Sequence, residues 1–455
     1  MQLRSFIKRD INLLELFKGG AIALVFKFLS IIIGYLFFIF LARLVDAEGL
    51  GIFSTCWTIL MIGAVIGKLG FDTSIIKFIA ENTGRKSYHH IKPLYTHCMV
   101  IVLISSSLVA TLILLTARPL SLLFFDVADK AFIIRVVGLA VIPLALMGYN
   151  AESMKGLKKI TAFSAFQNGS IYLLTTIIIL IFSTHDVNNS TSIIALFIAL
   201  LILLAVSYRV TAYYMRRVPK ASKNMPDYKP DIKSRLNTSL PMLLTNSLFL
   251  IMSYIDILML SAFKAEASVG IYNASLKIAA VISISLVAIN SIAAPKYAEL
   301  FGKNDKAGFR KVVKQTSFLN FSISLPVFLL VIIFPGFLLG VFGEEFPAGT
   351  GTLVILAIGQ IFSAFSGSTI HILNMTGREK IARNIIMTTA VVNVILNYLL
   401  VPPMGITGAA IATTFSTILW NLMSEIVIYR QFGFLTYPLV SLNLAKNIKN
   451  NIMKK

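Results

Sequence analysis

The sequence predicts an all-α protein that crosses a membrane about twelve times, in two parallel six-helix halves with both termini in the cytoplasm. Three observations predict it. The 455 residues are 57% hydrophobic and 13% charged, with a mean hydropathy of +0.82, whereas soluble domains carry about 25% charged residues. Its apolar runs repeatedly reach the roughly 20 residues that cover a bilayer. Its Lys and Arg gather in alternate loops, as the positive-inside rule requires of a multi-pass protein.

Apolar runs broken by polar turns place the spans in order. The first half gives about 20–44, 51–80, 93–117, 131–153, 160–183 and 191–215. A basic linker, 216–235, follows. The second half gives about 236–262, 268–298, 311–340, 351–375, 381–401 and 406–430. An amino-terminal lobe over 1–215 and a carboxy-terminal lobe over 236–430 are therefore expected. The remaining 431–455 form a basic cytoplasmic tail, suited to lie as an amphipathic helix on an anionic leaflet. With the amino terminus inside, 33 of the 41 Lys and Arg fall on the inner side and five on the outer. Only Lys27, Lys68 and Lys277 remain deep within spans, away from the span ends.

The halves repeat each other. LARLVDAEGLGIFS (41–54) aligns with LSAFKAEASVGIYN (260–273) at an offset of 219, and MKGLKKI (154–160) with MTGREKI (375–381) at 221. Six spans return the chain to its starting side, so the repeats are parallel, related by an axis along the membrane normal. A cavity between such halves is the expected path.

Charges inside spans cost about 2.5–3.5 kcal/mol each at the membrane centre and mark functional paths or internal pairs. Lys27 lies roughly 10 Å past the inner start of the first span at the helical rise. Lys68 and Asp72 are spaced i,i+4 in the second. Asp256 sits in the outer half of the seventh and Lys277 in the outer half of the eighth. Lysines at both depths suit an anionic passenger. The alternative is internal pairing, Lys68 with Asp72 and Asp256 with Lys277. Glu152 and Glu425, at inner span ends, are read as solvated. Gln167, Asn168, Gln360, His371, Asn374, Asn393 and Asn397 give polar faces that serve interhelical bonding.

The net charge of +21 raises nucleic acid as a partner, and the distribution of that charge into loops excludes it. No Cys/His spacing marks a metal, no GxxxxGK[ST] loop marks ATP binding, and no outer loop is long enough for a catalytic domain. An enzyme is therefore not expected, nor is a cofactor.

Several blocks resemble the polysaccharide-unit flippases of Wzx type, the O-antigen and capsule transporters. Residues 20–54, ending LARLVDAEGLGIFS, resemble their first hairpin, and LGFDTSIIKFIAE (69–81) the end of their second span. SLPMLLTNSLFLIMSYIDILMLSAF with VGIYNASLKIA resembles the start of their second half. NMTGREKIARN (374–384) and PPMGITGAAIATTFS (402–416) resemble their eleventh and twelfth spans. The resemblance implies the MATE-like fold of the multidrug/oligosaccharidyl-lipid/polysaccharide exporter superfamily. It implies translocation of an undecaprenyl-diphosphate-linked oligosaccharide from the inner to the outer leaflet of a bacterial inner membrane, for lipopolysaccharide O-antigen or capsule assembly. Lys27, Lys68 and Lys277 fit, by position, the basic residues that hold the diphosphate or acidic sugars. A polysaccharide polymerase and chain-length machinery are the implied partners. Energy comes from the membrane potential, or from proton or sodium coupling at Asp72 or Asp256. A multidrug exporter or lipid II flippase on the same fold, and a membrane polymerase, stand as alternatives.

Overall fold

The computed structural model describes residues 11–84, 87–166, 168–182, 189–218 and 232–438. Every described element is helical. In lipid the backbone must satisfy its own hydrogen bonds, and a chain this apolar does so in helices. Among the described residues eight helices are long and apolar enough to cross a membrane. One of them, Val25–Lys68, is two spans in one. The bent pair Glu266–Val281 with Ile284–Asn290 and the shorter apolar helices Gly169–Phe182 and Leu250–Phe263 complete the expected twelve.

The chain groups into two units, Met1–Leu250 and Ile251–Lys455. This division falls inside one helix, past the 216–235 linker, most of which lies outside the described residues.

The first unit contains α1 (Ile11–Lys68), α2 (Phe71–Gly84), α3 (Ile91–Leu115), α4 (Ala117–Phe125), α5 (Ala131–Gly156), α6 (Ile160–Ala165), α7 (Asn168–Phe182) and α8 (Asn189–Arg216). At 58 residues α1 is too long for one crossing, about 87 Å at 1.5 Å per residue. It breaks at Asp46 (φ 56°, ψ −171°), where the hairpin turns. Phe37 and Phe38 on one arm and Trp57 on the other close around Tyr172 of α7, with Phe37 stacked on it at 5.0 Å and Phe53 packed on the other three rings. The hub is α5, packed against α1, α2, α3 and α8.

The second unit is reached along α9 (Ile232–Phe263). It holds α10 (Glu266–Val281), α11 (Ile284–Gly302), α12 (Lys306–Ile333), α13 (Pro335–Gly340), α14 (Thr350–Ser366), α15 (Thr369–Met375), α16 (Glu379–Met404) and α17 (Ile406–Phe432). Here α17 is the hub, against α14, α15 and α16. The sequence repeat has a structural counterpart. Asp46 of the first hairpin corresponds to Ala265, the residue between α9 and α10. The turn after Gly156 corresponds to the turn at Gly377.

Five expected spans are divided. The second (51–80) stops at Lys68, because Leu69 and Gly70 adopt φ 49° and 75°. The fifth (160–183) is α6 and α7, and the eighth (268–298) bends by 47° between α10 and α11. The ninth (311–340) is α12 and short α13. The tenth (351–375) parts at Gly367, φ 74°. Left-handed backbone ends an α-helix, and glycine reaches it without a Cβ penalty.

The described start of the tail is a strap rather than a surface helix. Gly433 (φ 73°) turns it, and Phe434, Thr436 and Pro438 are buried. Glu425, expected to be solvated, is only 2% exposed. It accepts from the Thr436 backbone N–H and from its hydroxyl at 2.7 Å, while Lys314 donates to the Tyr437 carbonyl at 2.8 Å. Thr436→Val is expected to lower stability by about 1–3 kcal/mol, the cost of depriving a buried acceptor. Thermal unfolding of the purified variant, with faster proteolysis beyond Phe432, checks this; a wild-type melting temperature would remove the strap's structural role.

Candidate functional site

In the first unit the end of α1 and the start of α2 bring Lys68 and Asp72 together, Nζ to Oδ2, at 2.7 Å. They do not share one helical face as the i,i+4 spacing suggested. Leu69 and Gly70 turn the chain between them, and Asp72 begins the next helix, accepting from the Thr73 N–H at 2.9 Å. Glycine is required at 70 by its left-handed φ. A Cβ there would also stand 2.2 Å from the Ser239 carbonyl oxygen of α9. Lys68 passes over Gly148 of α5, whose missing side chain leaves it room.

The pair lines a cavity of about 140 Å³ with Met147, Gly148, Glu152 and Phe166. Glu152, read from sequence as a solvated span end, is thus part of this site and bonds Lys155 at 3.2 Å. Two carboxylates and two ammonium groups balance there, so Lys68 is not a solitary cation.

Lys27 lies exposed on the first arm of α1 among exposed apolar neighbours, Val25 and Leu29. It has no carboxylate within ion-pair distance among the described residues.

In the second unit Asp256 is the centre of a polar node and is 2% exposed. Its Oδ2 accepts from Tyr272 Oη of α10 at 2.7 Å and from the Thr413 hydroxyl of α17. Its Oδ1 accepts from Asn397 Nδ2 of α16 at 2.7 Å. These bonds, not Lys277, satisfy both oxygens. The reason is azimuth. Tyr272 turns toward Asp256, and Lys277, five residues on, is rotated by about 140° at 100° per residue. Lys277 is half-buried on α10. In sequence Asn393 and Asn397 stood among seven polar span residues and Tyr272 within the repeated block, with nothing to link them to Asp256; Thr413 carried no signal. Asn397 Nδ2 also donates to the Asn393 carbonyl at 3.0 Å, while its buried Oδ1 has no partner among the described residues.

Hydrogen bonds from neutral donors hold this buried carboxylate, and no fixed positive charge is among these partners to repay its desolvation. No cluster of three or more His, Cys, Asp or Glu suited to a metal occurs among the described residues.

Comparison with known proteins agrees with this architecture. The family model described as polysaccharide biosynthesis protein matches residues 16–301, and the MatE model matches 241–399. An uncharacterized membrane protein of Methanocaldococcus jannaschii is 22% identical over 89% of this chain and 82% of its own length. A probable low-salt glycan biosynthesis flippase of Haloferax volcanii is 28% identical over 36% of this chain and 35% of its own. A putative O-antigen transporter of Shigella flexneri is 27% identical over 48% and 52%. Among solved structures, an inward-facing MATE-family multidrug transporter superimposes with a TM-score of 0.73 at 14% identity, over 91% of this chain and 98% of that one. The inward closed lipid II flippase superimposes at 0.69 and 13%, over 89% and 87%. These two establish the fold. With the matched family model covering more than half of the residues, the chain belongs to the polysaccharide biosynthesis protein family and is a multi-pass membrane protein.

Proposed function

We propose that the chain moves a polyprenyl-diphosphate-linked oligosaccharide from the inner to the outer leaflet of the cytoplasmic membrane. The carrier is undecaprenyl diphosphate in a bacterial setting, and the product feeds O-antigen, capsule or a related surface polysaccharide. The family match over 16–301 carries this reading. Three lysines within spans, Lys27, Lys68 and Lys277, support it as cationic contacts for the headgroup during alternating access. A polymerase and chain-length machinery would act on the exported unit.

The energy has two sources consistent with the residues. A diphosphate-linked lipid carries about two negative charges. Moving it outward across an inside-negative membrane gains about 2.3 kcal/mol per charge per 100 mV. Proton or sodium entry at Asp256 is the second, supported by its neutral donors and by the partnerless Oδ1 of Asn397 beside it. Asp72, already paired with Lys68, is the weaker coupling candidate.

The test is replacement of Lys27, Lys68 and Lys277 by Gln, singly, in a strain lacking the native protein, with surface glycan measured at matched protein levels. A lost contact to phosphate costs about 1.5–3 kcal/mol, so a fall of about tenfold or more is expected for each lysine on the path. Full surface glycan in all three variants would overturn the cationic path. The MatE match over 241–399 favours a second reading, a cation-coupled drug exporter. Drug hypersensitivity with intact glycan in the deletion strain would select it.

A further inference from the structure

The second unit carries a cavity of about 430 Å³ at its cytoplasmic end, unconnected with the Asp256 node in its lining. Its walls include Phe301, Lys306, Arg310, Arg378, Phe432 and Phe434. The volume lies in the range of small-molecule sites, about 300–1,000 Å³.

The arginines are held and under-used. The Arg378 guanidinium lies 4.7 Å over Phe432 and 5.6 Å from Phe301. It donates through Nη1 to the Thr376 carbonyl at 2.7 Å and through Nη2 to Gln431 Oε1 at 2.9 Å. Ring faces and two bonds fix its plane, and three of its five N–H donors are left over. Arg310 sits 5.8 Å over Phe434. Neither arginine has a carboxylate within 4 Å among the described residues. The one acidic wall residue, Asp305, is engaged in capping α12, accepting from the Gly308 N–H at 2.8 Å. Adjoining Glu299 is held by Lys296 and Lys303 at 2.8 and 2.7 Å, which keep its carboxyl down at about 2. The cavity therefore presents net positive charge with oriented guanidinium forks. That geometry suits the oxygens of a phosphate ester, which arginine binds bidentately, and the phenylalanines supply an apolar floor.

We propose that this cavity is a cytoplasmic receptor site for a phosphate-bearing headgroup, distinct from the transport path. It does not rest on the oligosaccharide reading, because any flippase of this fold with these residues would have it. Two sources share the chemistry: an anionic phospholipid of the inner leaflet, and a free or substrate-borne diphosphate. Three wall residues, Gln431, Phe432 and Phe434, adjoin or belong to the strap that Glu425 holds through Thr436. Occupancy thus tightens the tail.

The experiment uses the full purified chain in nanodiscs of phosphatidylcholine, with and without phosphatidylglycerol, and separately with inorganic diphosphate. Thermal stability and protease resistance beyond Phe432 are the readouts. Stabilisation by phosphatidylglycerol alone assigns the phospholipid; stabilisation by diphosphate in phosphatidylcholine assigns the free phosphate chemistry. Arg310→Gln, which leaves every hydrogen bond of the fold in place, is expected to weaken the response about tenfold. Arg378→Gln should do the same, and Arg378→Lys should restore only part of it. Lys311→Gln, a neighbouring exposed charge outside the cavity, should leave it unchanged. No stabilisation by either probe, or equal losses in Arg310→Gln and Lys311→Gln, overturns the site.

Discussion

Asp256→Asn is expected to lower transport by at least about tenfold while costing the folded protein only about 1 kcal/mol. The two halves of that expectation come from the same geometry. The new side-chain amide keeps one oxygen for Tyr272 and Thr413. Its NH2 would face the NH2 of Asn397, and turning Asn397 over would set its Oδ1 against the Asn393 carbonyl that Nδ2 now serves at 3.0 Å. Shape survives, the charge is lost, and about one hydrogen bond goes with it, at about 0.5–1.5 kcal/mol. Loss of a charge-assisted contact costs about 1.5–3 kcal/mol, which is tenfold or more in rate. Asp256→Ala differs. It strands the Tyr272 and Thr413 hydroxyls and weakens the hold on Asn397, at about 1–3 kcal/mol for each buried orphan. Tyr272 and Thr413, 3.3 Å apart, recover part by bonding each other. A net loss of about 2–5 kcal/mol is expected. Surface glycan at matched protein level, with sodium and pH varied, reads the first variant; thermal unfolding reads the second. If Asp256→Asn retains the parent's sodium and pH dependence, Asp256 is not the coupling group.

Gly70→Ala is the second large effect, and it is structural. The φ of +75° alone costs a Cβ-bearing residue about 1–2 kcal/mol. The added Cβ also meets the Ser239 carbonyl oxygen at 2.2 Å and the Leu243 nitrogen at 2.8 Å. Both are backbone atoms, so no rotamer change relieves the contact. The total is expected to exceed about 3 kcal/mol, with displacement of the turn that joins Lys68 to Asp72. Gly377→Ala provides the control. Its φ is also +75°, but nothing lies within 4 Å of a Cβ there, so it should show the strain alone. Melting temperatures of the two variants separate strain from collision. Equal shifts would mean that Ser239 does not press on this turn.

Much of the architecture was legible because it follows from solvent and charge. Apolar runs and the distribution of Lys and Arg suffice for helices that cross a membrane. The repeat at offset 219 located a shared hairpin, whose turns fall at Asp46 and Ala265. The breaks within spans were hidden because apolar residues flank them on both sides. Gly70, Pro335–Gly336 and Gly367 sit at three of them, and a glycine in an apolar run as often marks close packing. The site was less legible. Asp256 was singled out as an intramembrane charge, but its partners come from three other helices and depend on azimuth. Lys277 was a plausible counter-ion by depth and fails by rotation. Glu152 and Glu425 were misjudged together: a position near a span end says how far a side chain is from water along the axis, not what covers it laterally. For Glu425 the cover is a segment eleven residues later in the chain.

That cover sets a practical limit on how the chain can be handled. Trimming it back to Phe432, where the last long helix ends, would leave the Glu425 carboxylate without its donors and the Ser366 carbonyl without the Thr436 hydroxyl. Affinity handles and fluorescent fusions should therefore be joined after Pro438, and loss of signal from shorter versions should be read as damage to the cytoplasmic base of the second unit rather than as evidence about transport.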